Sequence, residues 1–142
     1  MKKHIVILLT ALISSPFVYS QEGKLVSIDA DTKQAYYTRN DVYTVEADGS
    51  FSGNIAAFYD NGKIEETGVL SKGEKVGTWI KYNPDGDKIS KGSYKDGLKN
   101  GEWKVWDADG TLRVSMNYES GKRTGKWEFY DENGELLNSK QF

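Results

Sequence analysis

Glycine recurs in this chain every 24 residues, and that spacing constrains the fold more than any other feature. Gly53, Gly77, Gly101 and Gly125 form one series, and Gly62, Gly86, Gly110 and Gly134 a second. Gly49, Gly73, Gly97 and Gly121 form a third, and Gly68 and Gly92 add a pair at the same step. Of the 15 glycines only Gly23 stands outside the register. Bulky residues keep it too: Ile55, Trp79, Trp103 and Trp127 make one column, Phe58, Tyr82, Trp106 and Tyr130 another, and Leu70, Tyr94, Tyr118 and Phe142 another. No insertion or deletion interrupts the series from Gly49 to Phe142. A period of this length marks stacked supersecondary units, each stabilised by its neighbours.

The unit reads as a β-hairpin. Asn61-Gly62, Asp85-Gly86, Asp109-Gly110 and Asn133-Gly134 are dipeptides that tolerate the positive φ of tight hairpin turns. A second connection, expected to be the longer one, has the form Gly-x-x-x-Gly: GSFSG at 49–53, GEKVG at 73–77, GLKNG at 97–101 and GKRTG at 121–125. Between the turns lie short aromatic and branched segments such as WIKY, WKVW and WEFY. Leu112, Val114, Met116 and Tyr118 alternate with polar neighbours, the period of two that marks a strand. The expected fold is all-β: an extended antiparallel meander of tandem 24-residue hairpins in a single layer. If Asp85-Gly86 is a two-residue loop, Trp79 faces Gly92 and Ile55 faces Gly68, each bulky side chain covering bare backbone. A three-residue loop with a bulge would shift that pairing by one.

The first 20 residues have a different character. Lys2 and Lys3 precede an apolar run from Ile5 to Ile13 broken only by Thr10, and Val18-Tyr19-Ser20 precedes Gln21. This is the pattern of a secretory signal peptide cleaved between Ser20 and Gln21. The run is too short for the ~20 residues that span a bilayer, so no membrane anchor is expected after cleavage. The expected organisation is a signal peptide at 1–20, an N-terminal β cap at 21–48, and a repeat domain at 49–142 with about four units starting near 53, 77, 101 and 125. An exported destination follows: periplasm, cell surface or medium.

Composition narrows the chemistry. The chain has no cysteine, and its one histidine, His4, lies in the expected signal peptide. The mature chain would lack thiol and imidazole, which removes most nucleophile–base pairs and transition-metal sites. Without Lys2 and Lys3 the balance is 17 basic against 21 acidic residues, net −4, which does not favour nucleic acid. An EF-hand loop registered on Gly110 would need oxygen ligands from Val105 and Met116, so the aspartates read as turn formers. Glu65 and Glu66 are adjacent and would point to opposite faces of a strand, unlike a glycosidase pair. The glycine loops match no phosphate-binding pattern. No enzyme, cofactor or metal is expected. The aromatic columns are the one feature with binding potential: Trp79, Tyr82, Trp103, Trp106, Trp127 and Tyr130 could stack sugar rings or a partner's side chains, or simply pack a thin sheet.

The segments GTWIKYNPDGDKISKGSYKDGLKNG and GEWKVWDADGTLRVSMNYESGKRTG resemble the bacterial variant of the MORN repeat. Tandem arrays of it are similar to the YwqK-like antitoxin family, and the resemblance covers residues 49–142. It implies a hairpin array and, for some members, a role as the protective partner of a toxin. The chain departs from it where Ile55 and Phe58 replace the usual Trp and Tyr, and in carrying an apparent export signal. The expected function is therefore an exported, non-catalytic protein that binds another macromolecule, with a toxin as candidate partner. The alternative is an envelope or surface scaffold that binds a glycan or protein.

Overall fold

The computed structural model describes residues 25–28 and 35–142, with side chains described at Thr38 and from Tyr43 onward. The expected signal peptide and its cleavage site at Ser20 and Gln21 lie outside the described residues. The strands are β1 (Leu25–Ile28), β2 (Ala35–Val45), β3 (Phe51–Phe58), β4 (Ile64–Ser71), β5 (Glu74–Tyr82), β6 (Lys88–Lys95), β7 (Leu98–Lys99), β8 (Gly101–Trp106), β9 (Leu112–Glu119), β10 (Lys122–Tyr130) and β11 (Leu136–Gln141). All belong to one open sheet in sequence order, every pair antiparallel. β7 and β8 both pair with β6, so they act as one strand interrupted at Asn100. The structure is thus the all-β hairpin meander that the repeat implies.

Register within the hairpins matches the expected pairing: Ile55 opposes Gly68, and Trp79 opposes Gly92. The turns that produce it differ from the expectation. At Asp85-Gly86, Asn83 N–H donates to the Asp87 carbonyl at 2.9 Å and Gly86 N–H to the Asn83 carbonyl at 3.0 Å, which closes a three-residue loop. That loop pairs Tyr82 with Lys88; an extra residue, Ile89, then bulges out, and Lys81 pairs with Ser90. The bulge restores the register that a two-residue loop would have set. The same loop and bulge recur after Phe58, Trp106 and Tyr130.

The tight turns are at the other end of the repeat. Lys72-Gly73, Asp96-Gly97 and Ser120-Gly121 are two-residue loops with φ of 49° and 78°, 50° and 73°, and 48° and 80°. Two successive positive φ values define the type I′ turn, whose twist suits a hairpin. GEKVG, GLKNG and GKRTG are therefore not long connections: the first glycine ends a tight turn and the last lies at a strand irregularity. GSFSG differs again, because Gly49 closes a three-residue loop between Glu46 and Ser50. Successive turns are tied together: Gly73, Gly97 and Gly121 donate their N–H groups to the carbonyls of Phe51, Lys75 and Lys99 at 2.8, 3.1 and 2.8 Å.

The irregularity at Gly77 positions the tryptophans. Val69 pairs with Val76 and Thr67 with Ile80, so Gly77, Thr78 and Trp79 together span the single residue Gly68. The slack folds the Trp79 ring onto Gly68, where an added Cβ would overlap indole Cδ2 and Cε2. Trp103 covers Gly92 in the same way. Each strand glycine is thus covered by the tryptophan of the next hairpin, not by its own hairpin partner as the sequence suggested. The best-buried cluster, Phe51, Ile55, Ala57, Leu70 and Trp79, sits at β3–β5 with Tyr43 and Tyr94 packed against it. Ala56 is also fully buried beside Ile55 and Ala57, so β3 is buried on both faces.

Candidate functional site

The two faces of the sheet divide the six candidate residues. On one face Trp79, Tyr94, Trp103, Tyr118, Trp127 and Phe142 interleave into a ladder. Successive centroids lie 5.9, 5.1, 6.3, 5.4 and 4.8 Å apart. The first three contacts are edge-on, at 78°, 88° and 76°, the geometry that aromatic quadrupoles favour. The indole Nε1 groups of Trp103 and Trp127 donate to the Ser93 and Asn117 carbonyls at 3.1 and 3.0 Å.

A column of cations caps the ladder. Lys75 Nζ lies 3.9 Å from the Trp79 ring centroid, Lys99 Nζ 4.3 Å from that of Trp103, and the Arg123 guanidinium 5.0 Å from that of Trp127. Each also reaches the next rung, Tyr94, Tyr118 or Phe142. Lys75 is further held by both Glu66 carboxylate oxygens at 2.9 Å. Burial, and then the neighbouring Lys75 charge, push the Lys99 ammonium below its usual pKa. Burial, reinforced by Glu66, raises the Tyr94 phenol to about 12. Under this cap Trp79, Trp103 and Trp127 are only 2%, 7% and 7% exposed. Their ring faces are occupied, so these tryptophans act as packing. The 24-residue step from Lys75 to Lys99 to Arg123 was visible in the sequence, but only the folded ladder gives it meaning.

Tyr82, Trp106 and Tyr130 belong to the other face, and all are half-buried. Trp106 lies three residues beyond Trp103 and so points the opposite way. Lys88 Nζ sits 3.9 Å from its ring centroid. Tyr130 donates its hydroxyl to Glu128 at 3.0 Å, and Glu128 is bridged to Lys126 at 2.7 Å. The Lys126 hydrogen bond, and then that of Tyr130, hold the Glu128 carboxyl below its ordinary pKa. Two shallow hollows, of about 470 and 450 Å³, meet at Lys88 and Trp106. The first is lined by Lys88, Lys91, Lys104, Ser93, Glu102 and Trp106, the second by Tyr82, Asp87, Asp109 and Trp106. The structure therefore brings Trp106 and Tyr82 to one site and leaves Tyr130 outside it.

The turn aspartates and asparagines are used locally. Asn83 Oδ1 accepts from the Asp85 and Asp87 N–H groups at 3.0 and 2.8 Å, and Asp131 Oδ1 from those of Asn133 and Glu135 at 2.9 and 2.8 Å. Asp107 Oδ1 accepts from Thr111 N–H at 2.9 Å. Such side-chain acceptors stabilise the turn backbone.

No curated protein matches the chain. Residues 75–96, 99–120 and 123–142 match the family model described as the MORN repeat variant. Each matched segment opens at a member of the cation column, Lys75, Lys99 or Arg123, and runs through one tryptophan-bearing hairpin. The first hairpin, β3–β4, shares the period but lies outside the matches. Three tandem segments, all between Lys75 and Phe142, thus match the MORN repeat variant.

Proposed function

We propose that the chain is an exported, non-catalytic binding protein whose partner is another protein, with a toxin as the specific candidate by resemblance to YwqK-like antitoxins. The observation that carries this reading is the open sheet, in which three successive hairpins match the MORN repeat variant and which presents an edge as well as two faces. Among the described residues β11 pairs with β10 alone, and every one of its residues is exposed. Leu136 and Leu137 there are 53% and 67% exposed. An exposed strand with apolar side chains suits a partner that adds a strand of its own. Export rests on the Lys2-Lys3, apolar-run and Ser20-Gln21 pattern.

Two measurements test the reading. The mass of the protein recovered from outside the cytoplasm should correspond to a chain beginning at Gln21. Co-expression with a toxic protein encoded beside its gene should relieve growth arrest and yield a stable complex that a charged residue at Leu137 weakens. A protein that keeps its first 20 residues in the cytoplasm overturns export. Toxicity unchanged by co-expression overturns the immunity role.

A further inference from the structure

The second face carries a feature that the repeat does not explain. Residues that serve packing recur at the 24-residue step, whereas the hollow over Trp106 is where the repeat departs from itself. The positions equivalent to Lys88 are Ile64, Leu112 and Leu136; those equivalent to Lys91 are Thr67, Ser115 and Ser139; those equivalent to Lys104 are Ala56, Ile80 and Glu128. The position of Trp106 holds Phe58, Tyr82 or Tyr130 elsewhere. Four departures, three of them to lysine, converge on one hollow.

Their placement works against the fold. Lys91 and Lys104 are direct cross-strand partners between β6 and β8, and like charges so placed are destabilising. Glu102 bridges Lys104 at 2.9 Å. Among the described residues no carboxylate pairs with Lys88 or Lys91. One hairpin further on, the same places hold Leu112, Ser115, Lys126, Glu128 and Tyr130, and the charges there pair off. The adjoining hollow is lined by Asp87 and Asp109. Around the Trp106 ring the surface is therefore cationic on one side and carboxylate-bearing on the other.

We propose that this hollow binds an acidic saccharide. The sugar ring lies on the indole of Trp106, which Lys88 occupies in the free protein. Its carboxylate draws Lys88, Lys91 and Lys104 together, and ring hydroxyls donate to Asp87 and Asp109. A flat apolar face beside charged groups is the arrangement that orients such a ligand, and the anion removes the repulsion between Lys91 and Lys104. The site is separate from the β11 edge, so it stands or falls independently of the protein partner.

The test uses the full mature chain and a short oligogalacturonate, with the neutral galactose oligomer, inorganic phosphate and anionic phospholipid vesicles as comparisons. Titration calorimetry should show binding of the oligogalacturonate that weakens as salt rises, with at least tenfold weaker binding of the neutral sugar and of phosphate. Trp106→Ala and the double variant Lys91→Gln/Lys104→Gln should each lose binding at least tenfold. The double variant should melt within a few degrees of wild type without ligand, because it removes the facing like charges together with the Glu102–Lys104 bridge, and this shows that its loss of binding is not unfolding. Equal binding by the neutral oligomer, unchanged binding by the double variant, or no binding at millimolar sugar overturns the proposal. Vesicles or phosphate binding as tightly as the oligogalacturonate overturn it as well, because charge alone would then suffice.

Discussion

The indole of Trp103 lies against the backbone of Gly92, while the residue that faces that glycine across the strand pair is Trp79. Gly92 is thus framed by the tryptophans of two successive repeats, which makes it a joint between units. An alanine methyl there would overlap indole Cδ2, Cε2 and Cγ, so the ring must move. Overpacking of this kind costs about 1–3 kcal/mol. Gly92→Ala and Gly68→Ala are expected to lower the unfolding free energy by that amount and the denaturant midpoint with it. The third repeat supports the mechanism. There Met116 takes the glycine position, and Trp127 meets Tyr118 at 55°, whereas Trp103 meets Tyr94 at 88°. Urea unfolding of the two variants checks the prediction, and an unchanged midpoint would refute the close approach.

Ser120 holds φ of 48° without being glycine, and Gly121 follows at 80°. Asparagine tolerates the left-handed region better than serine. Ser120→Asn is expected to stabilise the chain by a few tenths of a kcal/mol, and Gly121→Ala to destabilise it by about 1 kcal/mol. Thermal melts of both variants should move in opposite directions. If the turn were a longer connection, neither substitution would matter much.

Much of this architecture was legible in the sequence because glycine and tryptophan each report a hard constraint. The 24-residue step and the hairpins follow from it, while the pairs Ile55–Gly68 and Trp79–Gly92 were expected from a two-residue loop that the structure does not have. The turn types did not follow from it. Asp85-Gly86 looks like the tight turn, but the Asn83 side chain accepts two turn N–H groups and favours a three-residue loop, and a bulge at Ile89 then cancels the shift. The true tight turns hide behind Lys72, Asp96 and Ser120, of which only Asp96 hints at positive φ by type. The lysine hollow was hidden because its residues are adjacent only through pairing of β6 with β8.

Asp131 accepts the Glu135 and then the Asn133 backbone N–H, and these bonds hold its carboxyl below the usual 3.8. Folded-state pKa lies below the unfolded value, so its contribution is present above that ordinary value and fades as pH falls through the folded one. Asp131→Asn keeps an oxygen acceptor but cannot ionise. The gap in melting temperature between wild type and Asp131→Asn should therefore shrink on acidification from neutral pH. A gap that is constant with pH would show that the charge contributes nothing.

Tyr94 titrates in the opposite sense. Burial, with Glu66 beside it, raises its phenol from 10.0 to about 12. Because the folded pKa is the higher one, its contribution is complete below about pH 10 and lost as pH climbs toward 12. Tyr94→Phe keeps the ring between Trp79 and Trp103 and removes the ionisation. Alkaline melting curves should fall more steeply for wild type than for Tyr94→Phe, and the tyrosinate absorbance difference between them should develop last in the titration.

Trp103 and Trp106 stand three residues apart on one strand and should answer mutation very differently. Trp103 is 7% exposed, touches Tyr94 and Tyr118, carries Lys99 above its ring, and covers Gly92. Truncating so buried an aromatic costs roughly 3–5 kcal/mol. Small domains hold only ~5–15 kcal/mol in total, so Trp103→Ala should leave the array partly or wholly unfolded at room temperature. Trp106 is half-buried, and the Lys88 stacked on its ring is worth about 0.5–1 kcal/mol. Trp106→Ala should therefore melt within a few degrees of wild type. Because each hairpin leans on the next, amide exchange in Trp103→Ala should rise first in β6–β9 and leave the Phe51–Ile55–Trp79 cluster better protected. Equal losses from the two substitutions would mean that both tryptophans are packing, and that the second face is as closed as the first.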